Sequence, residues 1–333
     1  MIILLDKYLF IRENMRFKLI KLLSRYIKII KTYIKIISLN LKIYLINIFK
    51  TKEENMLTDL HIHSYYSDGT MSPQEIVKDA KNKNVGIISI TDHDVLDSYE
   101  EVKIEAEKEG ITLIRGVEID SIFEGHLVHL LAYKFNDNEN FFKLVNKAKE
   151  NLLETSVELI RRMEKDYENI SLEDYNSYEY DRRKGGWKGI HYLFDKDITE
   201  GLFDGMKFYG KYECGHEKFD FPGVKEVCDI THEAGGYVVL AHPCNYYKDK
   251  TKEEIVEKLE ILKELGIDGV ECYYPANSYL MTETCLEFCK ENNMIITAGS
   301  DGHGDFGAVS KGVEYYIGAI NKDSSLLNIE KLL

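Results

Sequence analysis

The hydrophobic positions of this chain change rhythm near residue 56. From Leu57 onward, short apolar runs alternate with longer stretches whose apolar residues recur at helical spacing. That is the pattern of βα units packed as a parallel sheet or barrel. Strands are predicted at 57–62, 85–91, 111–119, 127–133, 237–241, 269–273 and 294–298. Helices are predicted at 73–83, 98–109, 223–234, 252–265 and 278–292, the first opened by Ser72 as a cap with Pro73 in its first turn. The rhythm breaks in between. Residues 139–166 read as one long helix, and 167–221 are polar, aromatic and poorly periodic. The expected organisation is α/β, with 56–138 and 222–333 forming one layered body and 139–221 inserted as a helical cap over its mouth.

Residues 1–55 follow a different pattern. Lys21, Lys28, Lys35 and Lys42 are seven apart, and Lys18 and Arg25 make a second seven-step, with Ile and Leu between them. On a helix this is a basic amphipathic face able to rest on an anionic membrane surface. The charge-free runs are too short to span a bilayer, which needs about 20 apolar residues. The alternative is that this extension is spurious and translation begins at Met56.

Composition narrows the class. The 333 residues are 44% hydrophobic and 30% charged, enough for a substantial core. The formal charge of −14 is unevenly divided: residues 1–55 hold 12 Lys/Arg against 4 Asp/Glu, and the remainder holds 31 against 53. An acidic body of this kind offers no broad basic surface, so long nucleic acid is not an expected partner. The cysteines at 214, 228, 244, 272, 285 and 289 form no CxxC pair and no zinc-finger spacing. They are expected to be reduced thiols in a cytoplasmic protein.

The chemistry lies at the ends of the predicted strands. These carry Asp59-Leu-His61-Ile-His63, Thr91-Asp92-His93-Asp94, Gly116-Val-Glu118-Ile-Asp120, Ala241-His242-Pro243 and Ser300-Asp301-Gly-His303. Parallel strands deliver their C-terminal ends to one face, where such folds build active sites. His61 and His63 are two apart on a strand, so their rings point the same way. Nitrogen and oxygen donors without thiolate suit Zn, Mn or Fe.

Taken together, HIHSYYSDG at 61–69, TDHD at 91–94, GVEI at 116–119, HLLAY at 129–133, AHP at 241–243 and SDGH at 300–303 resemble the PHP (polymerase and histidinol phosphatase) family. The resemblance covers about 57–135 and 222–320, and the motif spacing is similar to that of stand-alone phosphoesterases of the family. It implies a distorted (β/α)7 barrel with a cluster of two or three divalent ions. By resemblance, His61, His63, Glu118 and Asp301 would hold one ion, and Asp68, His93 and His303 a second. His129 and His242 would hold a third, with Glu118 bridging. His191, His216 and His232 fit no motif and are read as non-ligands, while Asp92 and Asp94 are read as carboxylates that orient ligands.

The implied activity is hydrolysis of a small phosphorylated metabolite or nucleotide, such as a nucleoside bisphosphate or monophosphate, by a metal-bridging hydroxide. No GxSxG elbow or P-loop supports a serine nucleophile or an NTP cradle. Two alternatives stay open: a 5′–3′ exonuclease on short RNA, and a metal-stabilised binding module without turnover. The insertion carries Arg182, Arg183 and Lys184 beside Trp187, the single tryptophan. This cluster either grips a substrate phosphate and stacks a base or is a solvated turn.

Overall fold

The computed structural model describes residues 56–306 and 315–333 throughout, and of 1–55 only positions between 15 and 42, all helical. Residues Met1–Asn55 and Met56–Leu333 form separate units. In the first, Lys28, Lys35 and Lys42 are helical and exposed, and so are Ile30, Ile34 and Ile37. Lys18, Lys21 and Arg25 lie outside the described residues. Among the described residues no helix is long and apolar enough to cross a membrane.

The second unit is an α/β fold. Strand β1 (Leu57–Ile62) lies parallel to β2 (Val85–Ile90), which lies parallel to the short β3 (Thr112–Leu113). Strands β4 (Gly116–Phe123) and β5 (His126–Tyr133) are antiparallel, followed by β6 (Tyr237–Leu240), β7 (Gly269–Tyr273) and β8 (Ile295–Ala298). A last strand, β9 (Lys322–Asp323), runs antiparallel to β1. The result is two sheets, ordered β3-β2-β1-β9 and β4-β5-β6-β7-β8. Single bridges join them, Ile62 to Gly302 and His93 to Glu118. A ladder closed into a continuous barrel is not found among the described residues.

The predicted third strand is where sequence and structure part. The run 111–119 is split between two strands, interrupted at Ile114 and Arg115, and β4 begins at Gly116 and runs on to Phe123 rather than ending at Ile119. Strand β4 then returns as β5 through Glu124-Gly125, both at positive φ (51° and 78°). This is the two-residue hairpin connection whose twist suits antiparallel strands. Glu118 and Asp120 therefore sit mid-strand, with Asp120 paired across to His129.

Helices form where caps and apolar stripes agree. Pro73–Asn82 opens with a capping box, Ser72 accepting from the Glu75 amide while the Glu75 side chain accepts from that of Ser72. Ile76, Val77 and Ala80 form its buried face. Between β5 and β6 a long helix, Glu139–Met163, is followed by short ones, and together they pack Leu159, Ile160, Met163, Tyr192 and Leu193 into a small core of their own. All six cysteines are buried, and Cys285 and Cys289 share a buried helix face as the spacing predicts.

Candidate metal centre

Bridges and turns bring the motif residues together. After β1 the backbone holds both neighbours, with the His63 amide donating to Gly302 at 2.9 Å and the Asp301 amide donating to the His61 carbonyl at 2.8 Å. After β2, the Asp94 amide donates to the Glu118 carbonyl at 2.8 Å. Asp94, His242 and Asp301 all hold positive φ (51°, 26° and 53°). Side-chain-bearing residues adopt that geometry only when surroundings impose it.

Glu118 is fully buried at the centre. Its Oε2 lies 3.0 Å from His61 Nε2, 3.1 Å from His63 Nε2 and 3.5 Å from His93 Nε2. Its Oε1 lies 2.9 Å from His129 Nδ1 and 3.0 Å from His242 Nε2. Asp301 Oδ1 is 3.4 Å from His63 Nε2 and 3.4 Å from His303 Nδ1. Asp68 Oδ2 is 3.2 Å from His303 Nε2. All nine residues thus converge on one place.

The donor set fits divalent cations. Three groups have ligand atoms within 4.8 Å of one another: His61, His63, Glu118 and Asp301; His63, Asp68, His93 and His303; and His93, Glu118 and His129. His61 Nε2 and His63 Nε2 face each other at 3.1 Å. Two imidazoles aimed at one carboxylate oxygen from that distance have no comfortable proton arrangement, and a shared cation supplies one. His63 Nδ1, His93 Nδ1 and Asp120 Oδ1 are buried without a hydrogen bond. Orphaned polar atoms in a buried site need such an explanation.

Electrostatics divide the histidines. Burial lowers the His61 pKa, but Glu118, Glu271 and Asp301 outweigh it and hold the ring well above its usual value. Burial also opposes protonation of His93, again outweighed by Glu118, Asp68 and Asp120. Burial dominates at His242, pushed down to about 4, and at His303, also lowered. Those two rings stay neutral and ready to donate a lone pair. Burial works against ionised Glu118, yet His61, His93 and His129 hold it well below the carboxylate range.

Other expected residues take different places. Asp92 does not face the rings; it accepts from the Ser64 amide and the Ser64, Ser67 and Ser98 hydroxyls, pinning the loop after β1. Asp94 accepts from the Asp120 amide. The His93 ring is instead met by Asp120, whose Oδ1 lies 3.3 Å from Nδ1. Arg182 and Trp187 line a cavity of about 510 Å³ that opens from the cluster. Arg183, expected beside them, turns away, its Nη2 donating to both carboxylate oxygens of Glu75 at 2.8 Å, and Lys184 is exposed. Gly185 and Gly186 explain that turn: both hold positive φ, and a Cβ at Gly185 would lie 2.5 Å from Phe306 Cβ.

Three contributors escaped the motif reading. Glu271 faces His61 Nδ1 at 3.0 Å and accepts the His242 amide at 2.7 Å, so one carboxylate orients two ligand segments. A Glu in the apolar strand GVECY was its signal, because a buried carboxylate needs partners. Tyr274 donates to Asp301 Oδ2 at 2.9 Å. His216, from the insertion, lies 3.4 Å from Asp120 Oδ2.

Space around Glu271 is tight. A Cβ at Gly299 would stand 2.2 Å from Glu271 Oε1 and 2.3 Å from His61 Cβ. Gly299→Ala should cost about 1–3 kcal/mol and lower the retained metal. Gly210→Ala, which meets nothing within 4 Å, should do neither. Thermal melts and elemental analysis of both variants check this.

Comparison with known proteins agrees with the geometry. The family model of the PHP domain matches residues 59–268. A 5′-3′ exoribonuclease of Haemophilus influenzae is 27% identical over 76% of this chain and 92% of its own length. A phosphoribosyl 1,2-cyclic phosphate 1,2-diphosphodiesterase of Eggerthella lenta is 25% identical over 76% of this chain and 97% of its own. A solved structure from Bifidobacterium adolescentis, assigned as a metal-dependent phosphoesterase, superposes with a TM-score of 0.63 at 25% identity, covering 75% of this chain and 88% of that one.

Proposed function

The chain belongs to the PHP domain family, and from that premise we propose that it is a metal-dependent phosphoesterase acting on a small phosphorylated metabolite or nucleotide. One observation carries the reading. A buried carboxylate, Glu118, is ringed by five imidazoles, of which His93, His129 and His242 line a cavity large enough for a nucleotide. We read the two bridged sheets as a distorted, incompletely closed form of the (β/α)7 barrel.

His61, His63, Glu118 and Asp301 would hold one cation, Asp68, His93 and His303 another, and His129 and His242 a third with Glu118 bridging, with Mn, Zn or Fe suited to these donors. Bound there, divalent ions neutralise the phosphate's charge and activate water at neutral pH. The chain's own residues do the rest. Glu271 and Tyr274 fix the ring of His61 and the carboxylate of Asp301. The cap excludes bulk water, and its apolar side chains Leu152, Leu153, Phe203 and Met206 line the cavity. We assign Arg182 to a substrate phosphate and Trp187 to an aromatic or ribose face. The exonuclease alternative draws support from the Haemophilus likeness, and a short single strand ending in this cavity would use the same two residues.

The test is a panel assay of the Mn²⁺-loaded protein on adenosine 3′,5′-bisphosphate, AMP, histidinol phosphate and a short 5′-phosphorylated RNA. Phosphate release from a nucleotide, with KM raised by roughly 5- to 100-fold in Trp187→Ala as expected for a lost stack, supports the proposal. Tight metal binding with no hydrolysis of any ester would instead make the protein a metal-stabilised binding module.

A further inference from the structure

We propose that His216, carried by the cap insertion to the edge of the metal-ligand cluster and held there by Asp120, is a catalytic residue that protonates the departing oxygen of the substrate. The inference rests on the phosphoesterase reading above and adds a residue to it.

Of the ten histidines, six converge on the cluster. His126 is exposed at the β4–β5 turn. His191 faces the Gly185 carbonyl at 2.7 Å, and His232 faces Asp268 at 2.8 Å. His216 alone among these four lines the cavity shared with the cluster. It opens the short turn His216–Lys218, and its ring rests against Phe221 with centroids 4.9 Å apart. Its Nε2 lies 3.4 Å from Asp120 Oδ2, with the side chain 23% exposed. Its Nδ1 makes no hydrogen bond to any described residue.

Asp120 is the reason this placement has chemical content. The carboxylate is buried on β4, and its other oxygen lies 3.3 Å from His93 Nδ1 and 3.5 Å from His129 Nε2. One oxygen of Asp120 thus stands beside two cluster histidines while the other stands beside His216. His216 lines the same cavity as His93, His129 and His242 of the cluster, so a ligand filling that cavity meets both. The charged groups around that ring are Asp120, with His93 and His129 behind it, and Lys149 of the long cap helix, which lines the same cavity and pairs with Asp97 at 3.7 Å. Carboxylate-held imidazoles with a second nitrogen facing substrate are suited to proton transfer.

The step balances as follows. The oxygen of the attacking water forms a bond to phosphorus. The bond from phosphorus to the ester oxygen breaks, and its electron pair goes to that oxygen. The oxygen takes a proton from His216 and leaves as an alcohol. The proton lost by the attacking water returns to His216 through solvent. An alkyl oxygen needs this help because it leaves poorly as an alkoxide. A nitrophenolate does not.

That contrast is the test. Full-chain His216→Gln and His216→Ala, loaded with Mn²⁺, are compared with wild type on AMP and on 4-nitrophenyl phosphate, with bound metal measured in each. The expected result is a fall in kcat on AMP of about 100-fold or more, little change on 4-nitrophenyl phosphate, and unchanged metal content. Equal loss on both esters would assign His216 to holding the cap and overturn the inference. Full activity on AMP would overturn it too. A wild-type protein that cleaves neither of these esters nor any ester of the panel above removes the phosphoesterase reading itself, a failure visible before any variant is made.

Discussion

His61→Ala should lose about 1,000-fold or more in kcat/KM, some 4 kcal/mol of transition-state stabilisation, and lose bound metal with it. The ring is fully buried and meets Glu118 at 3.0 Å on one nitrogen and Glu271 at 3.0 Å on the other. Truncation removes a ligand and also leaves two carboxylates without their partner, which costs about 3–5 kcal/mol when a buried pair is broken. Asp301→Ala should behave alike, since it removes the oxygen 3.4 Å from both His63 and His303. His61→Asn and Asp301→Asn separate ligation from folding, because they keep side-chain bulk while weakening metal affinity. The proper control is His126→Ala, an exposed ring. His191 fits no motif, yet its replacement is not neutral. Its ring holds the Gly185 carbonyl at 2.7 Å, and the next amide donates to the Asp68 carbonyl at 2.7 Å. Elemental analysis, circular dichroism and phosphate release on each variant decide the matter; full activity in His61→Ala would remove the cluster from the mechanism.

Much of this site was legible because strand geometry is local. A two-residue step puts His61 and His63 on one side of β1 whatever the rest of the chain does. The runs at Leu57–Ile62 and Gly269–Tyr273 were bounded correctly, since apolar strands flanked by polar turns announce both ends. What failed was direction. Nothing in 111–133 distinguishes a strand that ends at Asp120 from one that begins at Gly116, unless Glu124-Gly125 is read as a hairpin turn. Glu271 and Tyr274 were missed, and His216 was set aside as a non-ligand, for a different reason. Each acts on a residue distant in sequence, and a lone carboxylate, phenol or histidine has no spacing to betray it. Arg183 shows the converse. A dense basic cluster looks like a phosphate site, but one of its charges is already committed to Glu75.

Stripping the metal with a chelator should destabilise the protein more at about pH 8.5 than at about pH 6. Without cations, the cluster is held by protonated imidazoles beside carboxylates. Despite the opposing effect of burial, carboxylates raise the pKa of His61 and His93 in the folded state. The stability they contribute is therefore fully present below an unfolded value of about 6.5 and is lost as pH rises through the folded one. Glu118 is shifted the other way. Its contribution is present above an unfolded value near 4.3 and disappears only in stronger acid. Asp94, raised by burial and by Asp120, has its charged form penalised in the folded state, so it too loses stability as pH rises from the ordinary carboxylate range toward its folded value. Divalent ions replace the protons, so their affinity climbs over the same interval in which the proton-based support fades. At free metal of about 100 times Kd they contribute about 2.7 kcal/mol. The gap in Tm between loaded and chelated protein should thus widen with pH, and metal binding should release protons from His61 and His93. His242, already neutral with its pKa pushed down to about 4, should release none. Calorimetry of Mn²⁺ binding in buffers of different ionisation enthalpy reads the proton count, and melts with and without chelator read the gap. A gap that narrows toward alkaline pH would mean that the imidazoles give up no protons to the cations, and that the carboxylates alone carry them.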